Sequence, residues 1–186
     1  GDLDARVEAD VFDVLSLEGS LNARKVLGGT AGFYGVLAAM NGRYEAAAVA
    51  IFVAMILDGL DGRVARMTHT ESEFGVQYDS LSDMVSFGVA PGLIMYQWTL
   101  SSLGKAGWLA AFVYTAGAAL RLARFNVQVG SIDKRYFMGL PSPSAAAVTM
   151  GLVWVGTDLA IEPATLALPA FVLTLGAGLL MVSNFL

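Results

Sequence analysis

The 186 residues are 56% hydrophobic and only 15% charged, with a mean hydropathy of +0.63. A soluble domain is about 25% charged, so the deficit points to a bilayer as the main solvent. The absence of Cys excludes a disulfide framework and a thiolate nucleophile, and the single His, His69, argues against a His-rich metal site or a Ser-His-Asp triad. A net charge of −5 argues against nucleic-acid binding, which needs a basic face.

In chain order, residues 1–25 read as a cytoplasmic N-terminal segment. Leu3, Val7, Val11 and Leu15 recur every four residues among Asp4, Glu8, Asp10 and Asp13, the pattern of a short amphipathic helix. Its face is acidic, so attraction to anionic lipid is not its basis. The acidic start lacks a basic-then-apolar leader, and no cleavable signal peptide is expected.

Residues 26–186 read as a membrane domain. Apolar segments are predicted at 26–40, 46–65, 81–100, 106–123, 144–155 and 166–182, the first and fifth short for a full span. Turn chemistry separates them at Asn41-Gly42, 102–107, 130–143 and 156–163. The fold class is therefore all-α: a polytopic helical bundle of about six transmembrane helices. Pro91 is expected to kink the third helix, and Trp98, Trp108 and Trp154 to anchor helix ends at the interface. Nine of the eleven Lys and Arg fall before helix 1, between helices 2 and 3, or between helices 4 and 5; only Arg43 and Lys105 fall on the other side. That asymmetry puts both termini in the cytoplasm.

Helix 2 ends Asp58-Gly59-Leu60-Asp61-Gly62-Arg63-Val64-Ala65-Arg66, and helix 3 starts around Tyr78 with Asp79-Ser80-Leu81-Ser82-Asp83. An Asp at the centre of a spanning helix costs about 2.5–3.5 kcal/mol, less near the interface. Asp58 and Asp61 share a helical face, as do Asp79 and Asp83. A cytoplasmic loop of about ten residues, with Gly75 in it, makes the two acidic ends antiparallel neighbours. Four converging carboxylates cannot all stay ionised unaided. Oxygen donors without His or Cys suit Mg²⁺, Mn²⁺ or Ca²⁺, and two such ions would neutralise them and form a clamp for phosphoryl chemistry.

The run Asp58-x-x-Asp61-Gly62-x-x-Ala65-Arg66, eight further residues, then Gly75-x-x-x-Asp79-x-x-x-Asp83 resembles the full signature of the CDP-alcohol phosphotransferase family. The resemblance implies transfer of a substituted phosphate from a CDP-alcohol to an acceptor hydroxyl, with release of CMP. It implies that Asp58, Asp61 and Asp79 bind metal, Mg²⁺ or Mn²⁺, with Asp83 a shared ligand or the general base. Asp61, Gly62, Ala65 and Gly75 would line the nucleotide site, with Arg66 near its phosphate. A homodimer is likewise implied.

For the acceptor, Ser86-Phe87-Gly88-Val89-Ala90-Pro91, the helix-4 end from Ala119 to Asn126 and the loop from Asp133 to Pro143 resemble membrane-embedded bacterial phosphatidylserine synthases. The implied substrates are CDP-diacylglycerol and L-serine, met at the cytoplasmic face of the inner membrane among membrane lipid. Arg121 and Arg124, three residues apart, are read as a phosphate or carboxylate clamp, and Lys134 and Arg135 as partners for the serine carboxylate. The same basic residues suit glycerol 3-phosphate or an inositol phosphate as acceptor. The polar stretch 17–25 departs from the apolar lead-in, containing Pro and Asn, that such synthases carry, so no ligand contact is assigned to it. A divalent-cation transport protein is the alternative of another class. It would spread acidic residues through the membrane depth, whereas these cluster at one end.

Overall fold

A computed structural model describes the backbone of residues 18–68, 73–128 and 139–183, and the side chains of 29–60, 77–127 and 139–183. Among the described residues all regular structure is helical: α1 (Glu18–Met40), α2 (Tyr44–Thr68), α3 (Glu73–Asp83), α4 (Ala90–Trp98), α5 (Lys105–Gln128), α6 (Ser142–Asp158) and α7 (Ala167–Val182). A π-helical turn, Met84–Val89, fuses α3 to α4, so these residues make six rods. Two helical stretches, Lys105–Val127 and Pro163–Val182, are long and apolar enough to cross a bilayer by length and composition.

Two of the predicted boundaries move. The first rod begins at Glu18 rather than 26, and α3 begins at Glu73, so the ten-residue loop expected before helix 3 shrinks and Gly75 lies on a helix. The reason is that hydropathy marks where a rod is apolar, whereas hydrogen bonding continues through its polar end. The segment 1–17 and His69 lie outside the described residues.

Turn chemistry closes the α1–α2 hairpin. Gly42 takes φ +72°, and its N–H bonds the Ala39 carbonyl while that of Arg43 bonds the Ala38 carbonyl, both at 2.9 Å. This is the Schellman arrangement, in which the left-handed residue favours glycine. The end of α6 repeats it: the Ile161 N–H bonds the Gly156 carbonyl and that of Ala160 the Thr157 carbonyl, but the left-handed position is held by Ala160 at φ 50°. Ala160→Gly is therefore expected to raise stability by about 1 kcal/mol, read as a higher unfolding temperature in detergent.

One buried cluster joins Ala38, Ile51, Phe87, Ile94, Met95, Met150 and Val153 across α1, α2, the π turn, α4 and α6; a second joins Tyr114, Ala118, Ala145, Ala177 and Met181. The helices α5 and α7 meet backbone to backbone. A Cβ on Gly117 would stand 2.4 Å from the Gly178 carbonyl oxygen, and one on Gly178 would stand 2.7 Å from the Tyr114 Cα. Small residues at a crossing let helices approach closely where hydrocarbon supplies no hydrophobic drive. The outer surface is apolar, with Leu37, Val53, Ile56, Phe112, Leu120, Leu168 and Val172 exposed. A soluble monomer rarely presents so much apolar surface, whereas lipid tails meet it at no cost.

The three Trp expected at the interface differ in exposure. Trp108 is exposed and stacks on Phe112, with ring centroids 5.6 Å apart, and Trp154 is exposed beside Phe52. Trp98 is buried instead, in the space left by the missing side chain of Gly156. Proximity to a helix end said nothing of which face of the rod it occupies.

Candidate active site

Asp58 stands on α2 one turn before Gly62, and Asp79 and Asp83 stand on α3, Asp83 as its last residue before the π turn. All three are half-buried, and each has an interaction within the structure. Asp61, Gly62, Ala65 and Arg66 continue α2, and Gly75 lies in α3, with their side-chain surroundings outside the described residues. Among the described residues, no three of His, Cys, Asp or Glu come together in a group able to hold a metal ion. The described carboxylates Asp58, Asp79 and Asp83 are therefore not gathered into the converging group expected from the sequence, and the side chain of Asp61, one turn further along α2, lies outside the described residues.

The surroundings suit a divalent cation. The donors are hard oxygens on half-buried carboxylates, the set that Mg²⁺ and Mn²⁺ take. Next to Asp58, a Cβ on Gly59 would meet nothing within 4 Å. Gly59 therefore does not serve helix packing, and its open side leaves room for a ligand against α2.

On the far side of α3, Arg121 of α5 lies within electrostatic reach of Asp83. Its Nε is buried without a hydrogen-bond partner among the described residues. A guanidinium held beside a carboxylate with one donor unspent is a ready anion contact. Arg124, one turn on, is exposed. The structure thus brings Arg121 to the aspartate site and leaves Arg124 at its rim, while Lys134 and Arg135 lie outside the described residues.

Two contacts escaped the sequence reading. Ser80 Oγ lies 3.1 Å from Asn126 Oδ1, and Asn126 Nδ2 donates to Ser80 Oγ at 2.9 Å, tying α3 to α5 beside Asp79. The Tyr114 hydroxyl donates to the Phe87 carbonyl at 3.0 Å, holding the π turn that follows Asp83. No spacing rule signals either pair, because each joins residues far apart in sequence.

Grooves flank α3 on both sides. One of about 340 Å³ runs between α1 and α3, lined by Gly29, Phe33, Tyr78 and Val85 among others. A smaller one of about 190 Å³, between α3 and α5, is lined by Gln77, Met84, Ala119 and Leu122 among others. Each has a mostly apolar wall and passes beside the residues that flank Asp79.

Known proteins resemble this sequence over part of their length. A protein named CDP-diacylglycerol–serine O-phosphatidyltransferase from Helicobacter pylori is 40% identical over 119 residues, 64% of this chain and 50% of that protein. Proteins of the same name from Mycobacterium leprae and Methanocaldococcus jannaschii are 41% and 38% identical, over 69% and 72% of this chain and 44% and 59% of their own lengths. The chain thus spans about half the length of the curated relatives it matches. The family profile described as CDP-alcohol phosphatidyltransferase matches residues 25–182, nearly the whole of the helical bundle and all four aspartates. On that match, the chain belongs to the CDP-alcohol phosphatidyltransferase family.

Proposed function

We propose that this protein transfers the phosphatidyl group of CDP-diacylglycerol to the hydroxyl of L-serine, giving phosphatidylserine and CMP. The observation that carries the reading is the aspartate signature in sequence, with Asp58 and Asp61 on α2 and Asp79 and Asp83 on α3. The names of the similar proteins support serine as acceptor. Six rods supply six spans, with both termini and the aspartates at the cytoplasmic face of the inner membrane. Residues 26–186 form the membrane domain and 1–25 a cytoplasmic segment, and the protein works as a homodimer, as members of the family commonly do.

In this reading the Asp58, Asp61, Asp79 and Asp83 carboxylates would hold two divalent ions, Mg²⁺ or Mn²⁺. When bound, the ions supply charge neutralisation for the diphosphate and its leaving phosphate. As the family resemblance implies, Gly62, Ala65 and Gly75 would belong to the cytidine site and Arg66 to that of the nucleotide phosphate. Asp83 accepts the serine hydroxyl proton on a carboxylate oxygen as the serine oxygen bonds the phosphorus bearing diacylglycerol. The phosphoanhydride bond breaks, and CMP leaves with the bonding electrons. Arg121 and Arg124, with Lys134 and Arg135, attract the lipid phosphate or the serine carboxylate.

The test is CMP release from CDP-diacylglycerol by detergent-purified protein, with serine, glycerol 3-phosphate or an inositol phosphate in parallel. Release is expected with serine and Mn²⁺ or Mg²⁺, and EDTA is expected to reduce it at least about a hundred-fold, the order of a lost electrostatic clamp. Release with a phosphorylated acceptor alone would keep the family and overturn serine. No release with any acceptor would favour a cation pathway.

A further inference from the structure

We propose that Tyr114 is a positioning residue: its hydroxyl holds the π-helical turn in place and so sets the rotation that aims Asp79 and Asp83. The inference rests on the aspartates being the reacting site, and it begins at Pro91. Proline has no N–H, so a helical partner is missing for the carbonyls four or five residues earlier, those of Phe87 and Ser86. Phe87 is 1% exposed, and a buried carbonyl without a donor is costly. The Phe87 carbonyl instead takes the Tyr114 hydroxyl, at 3.0 Å, from a side chain that is itself fully buried on α5. Thr115 Oγ1 lies 3.4 Å from the next carbonyl, that of Gly88. The neighbouring helix thus serves the interrupted stretch.

The turn has a geometric effect. A π turn carries one residue more than an α turn, and one residue is about 100° of helical rotation. Downstream, α4 is locked by Ile94, Met95 and Trp98, all buried. The rotation therefore falls on α3, which carries Asp79 and Asp83. Tyr114 is itself fixed, because Gly178 lets α7 press against its backbone. The path runs from the α5–α7 crossing through one phenol to the orientation of two carboxylates.

The test reads that orientation directly. The chain has no Cys, and a Cβ on Gly29 would stand 3.2 Å from Ser82 Oγ, so Gly29→Cys with Ser82→Cys places two thiols within disulfide reach of each other across α1 and α3. In this pair, Tyr114→Phe keeps the ring and removes the donor. Oxidative cross-linking is expected to fall by most of its yield. In the Cys-free protein, the same substitution is expected to slow CMP release about ten-fold. Thr174→Val, which deletes another buried hydroxyl, one without a partner among the described residues, is expected to leave both unchanged. Wild-type cross-linking by folded Tyr114→Phe overturns the proposal, as does an equal loss in Thr174→Val. If Tyr114→Phe fails to fold, adding Pro91→Ala restores a backbone donor and is expected to recover folded protein; no recovery also overturns it. Lost cross-linking in a protein whose parent releases no CMP would uphold the positioning role and sink the proposed activity.

Discussion

Asp83→Asn is expected to lower CMP release about a thousand-fold while leaving CDP-diacylglycerol bound, the size of effect that losing a general base produces. The amide matches the carboxylate in shape and retains one oxygen, but it has no affinity for the serine hydroxyl proton. Asp83 is the residue to choose because it ends α3, half-buried, within electrostatic reach of Arg121. A proton acceptor there lies beside a cation able to hold the acceptor's carboxylate or the lipid phosphate. Single-turnover CMP release beside equilibrium binding of the CDP-lipid separates the roles. Full turnover in the variant would remove Asp83 as base. Loss of binding in step with turnover would make it chiefly a metal ligand.

The second large effect is structural. Gly107→Ala is expected to destabilise the bundle by about 3 kcal/mol, at the upper end for overpacking. A Cβ there would stand 1.8 Å from the Leu100 carbonyl oxygen and 3.2 Å from its Cα. Both groups are backbone, so no rotamer change relieves the overlap. Either the first turn of α5 or the 3-10 turn Leu100–Leu103 must move, and Leu100 is fully buried. Gly151→Ala is the matched control, since its Cβ would meet nothing within 4 Å in the middle of α6 and alanine favours helix. Unfolding in detergent should drop sharply for the first variant and stay level or rise for the second. Equal curves would mean that the close approach at Gly107 is absent from the folded protein.

The helical spacing of the aspartates was legible because it is local. Asp58 and Asp61 share a turn, as do Asp79 and Asp83, and their charge in apolar surroundings needs no tertiary knowledge to be read. Rod ends were less legible. Glu18 and Glu73 begin helices, but hydropathy sees only the stretch that touches lipid. Pro91 announced a disturbance in helix 3 without its form. The disturbance is a π turn on its N-terminal side, completed by a hydroxyl 27 residues away, and no periodicity encodes such a partner. Trp98 shows the same limit, since its burial depends on the glycine opposite, Gly156, and not on its own neighbours. Arg121 and Arg124 look alike in sequence and differ in place, one beside Asp83 and one exposed.

The crossing of α5 and α7 at Gly117 and Gly178 has a mechanical consequence. Its contact surface is peptide against peptide, so no side chain must be frozen to form it and none can swing aside to loosen it. The two helices behave as one plank. In the proposed reaction a bulky lipid substrate, and a lipid product with a smaller headgroup, would enter and leave the bundle sideways. Along α1 and α3, by contrast, a groove lies between the rods. The bundle thus has one side sealed by backbone and, beside the aspartates of α3, another that carries a groove.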